Sequence, residues 1–133
     1  MRNNDFAESL LALVNSLELP IRGRLDYLSE NDDLVIYALP GGQVITEDMA
    51  GTQTVELPFE IAIKMTSQDK ANAILWQINT ALSQFDLDIP SQNGSYQFLS
   101  LAVVPPSLNE LDEQGFYVYL LDLTACLEIE RNE

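Results

Sequence analysis

The sequence predicts an α+β fold in which a mainly antiparallel sheet of about four to five strands carries two helices packed on one face. Three observations lead to this fold. Two segments place apolar residues at helical spacing, one long segment alternates apolar and polar residues, and turn-forming residues separate the segments. The 133 residues, 47% of them hydrophobic, suit one core, so we expect a single domain over 1–133.

The first helix is predicted over residues 5–17. Asn4 or Asp5 can cap it, and Asp5 with Glu8 has the spacing of a capping box. Pro20 follows shortly after the end, where helices stop. The apolar residues that share one stripe are Phe6, Leu10, Leu13, Val14 and Leu17.

The second helix is predicted over residues 67–84. Thr66 or Ser67 can cap it, and Thr66 with Asp69 has capping-box spacing. Trp76 falls away from the centre of the apolar stripe, so we expect it to be partly exposed. It either covers the edge of the core or anchors a partner, a role in which Trp is enriched. The stripe consists of Ala71, Ile74, Leu75, Ile78, Ala81, Leu82 and Phe85.

The first strands are predicted over 22–28 and 33–39. In the second of these segments, Leu34, Val35, Ile36 and Tyr37 have strand-type composition. A run of turn-forming residues separates the two segments. The Pro-Gly-Gly sequence at 40–42 then breaks the chain. Val44 and Ile45 indicate a further short strand.

The clearest strand covers residues 53–65, where apolar and polar residues alternate strictly. This alternation predicts one buried face and one wet face. Pro58 cannot donate to a sheet hydrogen bond, so we expect an edge strand or a bulge at that position. The apolar series is Val55, Leu57, Phe59, Ile61, Ile63 and Met65.

The carboxyl-terminal part is predicted to hold strands over 96–104 and 116–130, with loops over 86–95 and 105–114. The final strand is apolar on both faces over its first half. Such a strand is central in a sheet or is covered by a partner.

The sequence lacks the residue types on which the common catalytic and metal sites depend. It has no His and one Cys, Cys126, so nucleophile–base pairs and a structural zinc site are excluded, and no Gly-rich phosphate loop occurs. We expect no enzyme activity, no cofactor and no metal. Paired acids could hold an ion or cleave glycosides, but here they lie in predicted loops and are better explained as solvated charge. These acids are Asp32 with Asp33, Glu47 with Asp48, Asp86 with Asp88, and Asp112 with Glu113.

Net charge is the outlying property, since 21 acidic residues against 6 basic ones give −15. Duplex binding depends on cations that neutralise phosphates, and anionic membranes attract the same cations. We therefore expect no tight nucleic-acid binding and no membrane binding. The acidity either keeps the protein in solution, or repels nucleic acid or mates with a basic partner.

Five segments carry a family resemblance over most of residues 5–130. They are DLVIYALPGG at 33–42, VELPFEIAIK at 55–64, LWQIN at 75–79, FDLDIPSQNGSY at 85–96 and LDEQGFYVY at 111–119. Together they resemble the minor capsid proteins of long-tailed bacteriophages and of prophages of Gram-positive bacteria, of the tail-terminator or head–tail joining type. The shared segments are structural, with no catalytic signature.

The resemblance implies a small α+β domain that assembles into a ring, commonly a hexamer. Such a ring seats on the end of the tail tube, stops its growth and offers a surface to the head connector protein, while DNA passes through the hole. It implies assembly in the host cytoplasm and then a place at the head–tail junction of the virion. The family has no catalytic residues.

Three alternatives stay open. The chain could be a neighbouring head-completion or connector protein, since those are also small ring formers. It could be an acidic inhibitor that mimics nucleic acid and binds a basic partner. It could be an enzyme that uses carboxylates alone.

If the chain forms a ring, exposed apolar residues are candidates for the subunit interface, and loop acids are candidates for an acidic lumen or rim. A core role is equally open for Ile45 and Leu108. The interface candidates are Val44, Ile45, Met49, Trp76, Pro105, Pro106 and Leu108. The lumen or rim candidates are Glu47, Asp48, Asp86, Asp88, Asp112 and Glu113.

Overall fold

A computed structural model describes residues 4–130. This part of the chain contains two helices and seven strands of an α+β fold, in the order α1, β1, β2, β3, β4, α2, β5, β6, β7. The helices are α1 (Phe6–Asn15) and α2 (Gln68–Leu82). The strands are β1 (Arg24–Leu25), β2 (Asp33–Ala38), β3 (Gln43–Glu47), β4 (Thr52–Met65), β5 (Gln97–Val103), β6 (Ser107–Leu111) and β7 (Tyr117–Glu130).

The centre of the sheet is a ribbon of the two longest strands. β4 and β7 pair antiparallel without a register shift, from Thr52 opposite Glu130 to Met65 opposite Tyr117. On the far side of β4, β3 lies at the Thr52 end and β2 at the Met65 end. On the far side of β7, β5 lies at the Glu130 end and β6 at the Tyr117 end. Each side of the ribbon is therefore flanked by two short strands placed end to end.

Both helices pack on one face of this sheet, as the sequence predicts. The odd-numbered residues of β4 and β7 face the helices, and most of them are buried apolar side chains in one continuous core. Phe6 of α1 lies against Phe59 of β4, with ring centroids 5.3 Å apart, and against Tyr96 at 5.6 Å. Burying each large apolar side chain contributes roughly 1.5–3 kcal/mol, which makes the core the main source of stability.

The sheet has more strands than the sequence predicts, and β6 is the clearest addition. It lies inside the predicted loop 105–114, and all of its residues are exposed. Its sequence SLNEL has weak strand propensity. β6 is extended because it pairs with the free edge of β7, and the local sequence does not contain that partner.

The first strand is shorter than the predicted segment 22–28. β1 has only two residues, and it pairs parallel with β2. The Asp33 carboxylate accepts hydrogen bonds from Arg24 Nε at 3.0 Å and from the backbone N of Ser29 at 2.9 Å. These bonds fold the link between β1 and β2 into a compact loop. Burial raises the pKa of Asp33, but the hydrogen bonds from Arg24 and Ser29 outweigh it and lower the pKa below its ordinary value.

The expectation that Pro58 marks an edge strand or a bulge is wrong. β4 is central, and Pro58 lies opposite Thr124 of β7 in an unbroken register. The carbonyl of Pro58 accepts from the backbone N of Leu39 at 2.9 Å, so its nitrogen faces the same side, away from β7. On that side β2 has just ended and β3 has not begun. The missing N–H therefore falls where the ladder is interrupted anyway.

The helix caps are confirmed in part. Ser67, not Thr66, caps α2, and its Oγ accepts from the backbone N of Lys70 at 3.3 Å. Asp5 makes no side-chain capping bond to α1, so the predicted capping box is wrong. Its carboxylate is instead bonded to residues 91–95. Phe85 lies beyond the end of α2 and is fully exposed, so it does not belong to the apolar stripe.

Candidate functional site

The hairpin formed by β3 and β4 projects apolar side chains into solvent. Every residue of β3 is exposed. Ile45 is the extra residue of a β-bulge between Val44 and Thr46, and it is 47% exposed. Met49, in the turn that follows, is fully exposed. A core role for Ile45 is therefore excluded.

The second candidate patch, formed by Pro105, Pro106 and Leu108, lies on the other side of the ribbon. These residues lead into β6 and begin it, at the Tyr117 end of β7. Leu108 is 47% exposed, which excludes its core role as well. The two patches therefore occupy diagonally opposite corners of the sheet.

Trp76 is the third interface candidate, and it lies on α2 with 44% of its surface exposed. The expected partial exposure is confirmed. Trp76 is separate from both patches, since neither β3 nor β6 is among the strands against which α2 mainly packs.

Other exposed apolar residues are not among the candidates predicted from the sequence, and Phe85 and Leu99 are two of them. They line a groove of about 190 Å³ between the end of α2 and β5. None of the residues that line this groove is charged. A signal was present in the sequence, because residues 89–109 contain no charged residue in a chain that is 20% charged.

Asp48 and Asp112, two of the candidate lumen or rim acids, hold turns of the same build. In each turn the carboxylate Oδ1 accepts the backbone N–H groups of the second and fourth residues that follow, at 2.9–3.0 Å. Each turn contains a glycine with positive φ, 89° at Gly51 and 90° at Gly115. The hydrogen bond from the backbone of Phe116 lowers the pKa of Asp112. These acids fold the β3–β4 and β6–β7 hairpins as well as charging them.

The lumen or rim candidates do not come together in one place. Glu47 and Asp48 lie at the Thr52 end of the ribbon, whereas the turn with Asp112 and Glu113 lies at its other end. At roughly 3.3 Å per residue, the 14-residue strands of the ribbon separate these two turns by about 40 Å. Asp86 and Asp88 are exposed in the segment between α2 and β5. The lumen or rim candidates therefore lie at both ends of the ribbon and not in one cluster.

The sheet face opposite the helices carries a row of three polar side chains. Tyr37, Glu60 and Asp122 stand in register across β2, β4 and β7. The Tyr37 hydroxyl donates to Glu60 Oε1. Burial and the neighbouring Asp122 raise the pKa of Glu60, and burial and Glu60 raise the pKa of Tyr37. Oδ1 of Asp122 is buried, and no donor within residues 4–130 reaches it.

The described part of the chain does not group its potential metal ligands. Within residues 4–130, no three His, Cys, Asp or Glu side chains are grouped so that they could hold a metal ion. Cys126 is a free thiol and half-buried. Over the same residues, neither helix has the length and apolar character needed to cross a membrane.

The exposed apolar residues lie mostly on sheet edges and in turns, with Trp76 on α2 and Phe85 just beyond its end. The sequence matches a family model described as "Bacteriophage tail terminator protein" over residues 8–129. The chain therefore belongs to the bacteriophage tail terminator family, and the resemblance in the sequence segments is confirmed.

Structural comparison gives a similar result for the fold. A chain from a structure titled "Virion of native gene transfer agent (GTA) particle" matches with a TM-score of 0.57 and 16% sequence identity. The match covers 90% of this chain and 84% of that chain. At this identity it shows the fold alone. No curated protein sequence matches. The family makes the chain a phage structural protein of the tail or head–tail region.

Proposed function

We propose that this chain is the subunit of a hexameric ring that caps the tail tube at the head–tail junction and ends its growth. DNA passes through the hole of the ring. The partners are other copies of the chain, the phage tail-tube protein and the head connector protein. The ring assembles in the host cytoplasm and then remains in the virion. The observation that carries this proposal is the placement of two exposed apolar patches on opposite sides of one sheet.

A ring of identical subunits joined head to tail needs two different patches that complement each other. The hairpin patch (Val44, Ile45 and Met49) lies beyond β4, and the second patch (Pro105–Leu108) lies beyond β7. One subunit can therefore offer its β4 side to the β7 side of the next while all sheets stand side by side. Because the two patches lie at opposite ends of the ribbon, each then faces a different strand of its neighbour and not the other patch. Trp76, on the helical layer, then remains available to the tail tube or the connector.

The charge of the chain suits a passage for DNA. A net charge of −15 repels phosphates, which prevents DNA from sticking as it moves. We propose that Glu47 and Asp48 charge one level of the lumen or rim. Asp112 and Glu113 charge the other level.

Asp86 and Asp88 are the remaining acidic candidates. They lie between α2 and β5, in the same half of the ribbon as β3. We place them at the level of Glu47.

Light scattering coupled to size-exclusion chromatography tests the ring. We expect the mass of a closed ring at high protein concentration, and electron microscopy should then show rings on the ends of purified tail tubes. Ile45→Lys places a charge in the hairpin patch and should weaken assembly. Ala73→Lys, on the exposed face of α2, is the matched control and should not. A strict monomer that also leaves tail tubes uncapped contradicts the proposal.

The same rings distinguish the terminator from a head-completion protein. Rings that bind tail tubes are expected, whereas rings that bind only the connector would favour the head-completion role. The inhibitor alternative requires a dense stripe of free carboxylates. The acids instead lie at both ends of the ribbon, and Asp48 and Asp112 accept backbone hydrogen bonds in turns.

A further inference from the structure

β3 and β5 are edge strands that largely lack the charged side chains with which proteins commonly protect a sheet edge. Within residues 4–130, β3 pairs only with β4, and β5 pairs only with β7. Exposed edges present free backbone donors and acceptors, and monomeric proteins usually blunt them with charged side chains, especially Lys. Residues 43–46 of β3 and the whole of β5 carry no charge.

The absence of charge on these edges is unusual for this chain. Charged residues make up 20% of the sequence, yet residues 38–46 and 89–109 contain none. Two copies that each carry −15 repel one another wherever their acids approach. Two such copies can approach closely only where neither carries charge, and an uncharged edge therefore suits another uncharged edge. This favours a second copy of the chain as the partner over a basic protein.

The directions of the strands allow the two edges to join. β3 and β5 lie at the same end of the ribbon but on opposite sides of it, and β3 runs antiparallel to β4 while β5 runs antiparallel to β7. Since β4 and β7 are themselves antiparallel, β3 and β5 run in opposite directions. Two copies placed side by side in the same orientation therefore bring β5 of one against β3 of the next as an antiparallel pair.

The side chains at the two edges fit this contact. Each edge strand contains one bulge, and the extra residue is an exposed aliphatic one, Ile45 in β3 and Leu99 in β5. Bulges bend a sheet, as a closed ring requires. Val44 stands opposite Val55, so its side chain points to the helix side of the sheet. The uncharged groove along β5 lies on this same side, so the groove of the next copy can receive Val44.

We propose that neighbouring subunits join by pairing the β3 edge of one copy with the β5 edge of the next. Val44 of the first copy then lies at the groove between α2 and β5 of the second. The sheet is then continuous around the ring. This inference rests on the proposed ring and specifies its contact.

Cross-linking of engineered cysteines tests the pairing. In a Cys126→Ser background, the double variant Ile45→Cys with Leu99→Cys is treated with a short bismaleimide under conditions in which light scattering shows rings. We expect a ladder of linked chains on a denaturing gel that ends at the closed ring. Each single variant should stay unlinked, because a head-to-tail contact brings unlike edges together. Circular dichroism should show that all variants keep the fold, since both residues are exposed.

The double variant Ile45→Cys with Leu111→Cys is the matched control. Leu111 is an exposed residue of an edge strand too, but it lies on β6 at the other end of the ribbon, so it should not link. Linking of either single variant means that like edges meet and overturns the pairing. Rings whose Ile45–Leu99 variant stays unlinked overturn it as well, while the proposed ring stands. A chain that forms no ring at all overturns the proposed function and the pairing together.

Discussion

At the scale of single residues, Asp5 has more influence on the fold than a helix cap would have. Its carboxylate accepts the Ser91 hydroxyl at 2.6 Å and the backbone N of Gln92 at 2.8 Å, with further bonds from Asn93 and Ser95. The start of α1 is thereby tied to the loop before β5. Burial raises the pKa of Asp5, but these hydrogen bonds together outweigh it and lower the pKa.

Replacing Asp5 with Ala should lower the free energy of unfolding by about 1.5–3 kcal/mol, the range for hydrogen bonds to a charged group. The loop 91–95 loses its acceptor, and its backbone donors are left to solvent. Urea denaturation measures the change. Glu8→Ala, an exposed acid on the same helix, is the control and should change stability by less than about 0.5 kcal/mol. Equal losses in both variants would contradict this role of Asp5.

Glu60 and Asp122 are like charges placed directly opposite each other on paired strands, an arrangement that destabilises a sheet when both are ionised. Because the pKa of Glu60 is raised, this group binds more protons in the folded protein than in the unfolded chain between pH 4.5, its ordinary pKa, and the raised pKa. The stability from this group is complete below pH 4.5 and is lost as pH rises through the raised pKa.

Glu60→Gln should therefore raise the free energy of unfolding at neutral pH by roughly 0.2–1 kcal/mol, the size of cross-strand pair effects. It should also flatten the fall in stability between pH 4.5 and neutrality. Urea denaturation at several pH values checks both. Glu56→Gln, on the same strand and face, is the control for the loss of one charge. A variant that is less stable than the native chain at pH 7 would mean that the bond from Tyr37 dominates instead.

The pH dependence of stability that Glu60 causes can be separated from that of Asp5 and Asp33, because the two occur over different pH ranges. Their pKa values are lowered, so the stability they provide is present above their ordinary value of 3.8 and is lost as pH falls through the lowered values. Their effect is therefore opposite in sign and lies at more acidic pH.

At the scale of elements, the long periodic segments were predictable, and the short edge strands were not. The alternation over 53–65 and the helical stripe of α2 each contain enough buried residues to fix the element type. β6 has no buried residue, so its strand conformation depends on pairing with β7 alone. The expectation of an edge strand or a bulge at Pro58 was wrong for a related reason. The sequence cannot show that two short strands share one side of β4 and leave a gap between them at this proline.

The exposed apolar residues of the candidate site were also predictable only in part. Val44, Ile45 and Met49 became candidates because they lie in the loop segment after Pro-Gly-Gly, but a core role stayed open for Ile45 until the structure showed it to be exposed. Phe85 was missed because it continues the period of α2 past the end of the helix. Leu99 was missed because its sequence context is that of an ordinary strand residue, and nothing in that context marks the bulge in β5 at which it lies.

The two Asp-x-x-Gly turns give a prediction for elements. Gly115→Ala should lower the free energy of unfolding by about 1–2 kcal/mol, the cost of a left-handed conformation for a residue with a Cβ. An added Cβ at Gly115 meets no atom within 4 Å, so the loss would come from the backbone and not from a clash. Thermal unfolding measures it. Gln114→Ala in the same turn should be nearly neutral, and a neutral Gly115→Ala would show that the turn relaxes without cost.

At the scale of the whole molecule, charge and assembly oppose each other. Every subunit added to the proposed ring brings −15 next to −15, which costs free energy at low ionic strength. The uncharged edges reduce this cost at the contact, but the loop acids remain within reach of those of the next subunit. Salt therefore controls assembly through screening of repulsion and not through competition for ion pairs.

Assembly should accordingly strengthen with salt. Between about 0.01 M and about 1 M salt the Debye length falls from about 30 Å to about 3 Å, so repulsion between loop acids of neighbouring subunits is largely removed. Light scattering should show the ring at lower protein concentration in high salt. Ile45→Glu adds a carboxylate to the β3 edge, so its assembly should fail at low salt and recover in part at high salt. Rings that dissociate as salt rises would show that ion pairs hold the subunits together, which the uncharged edges do not provide.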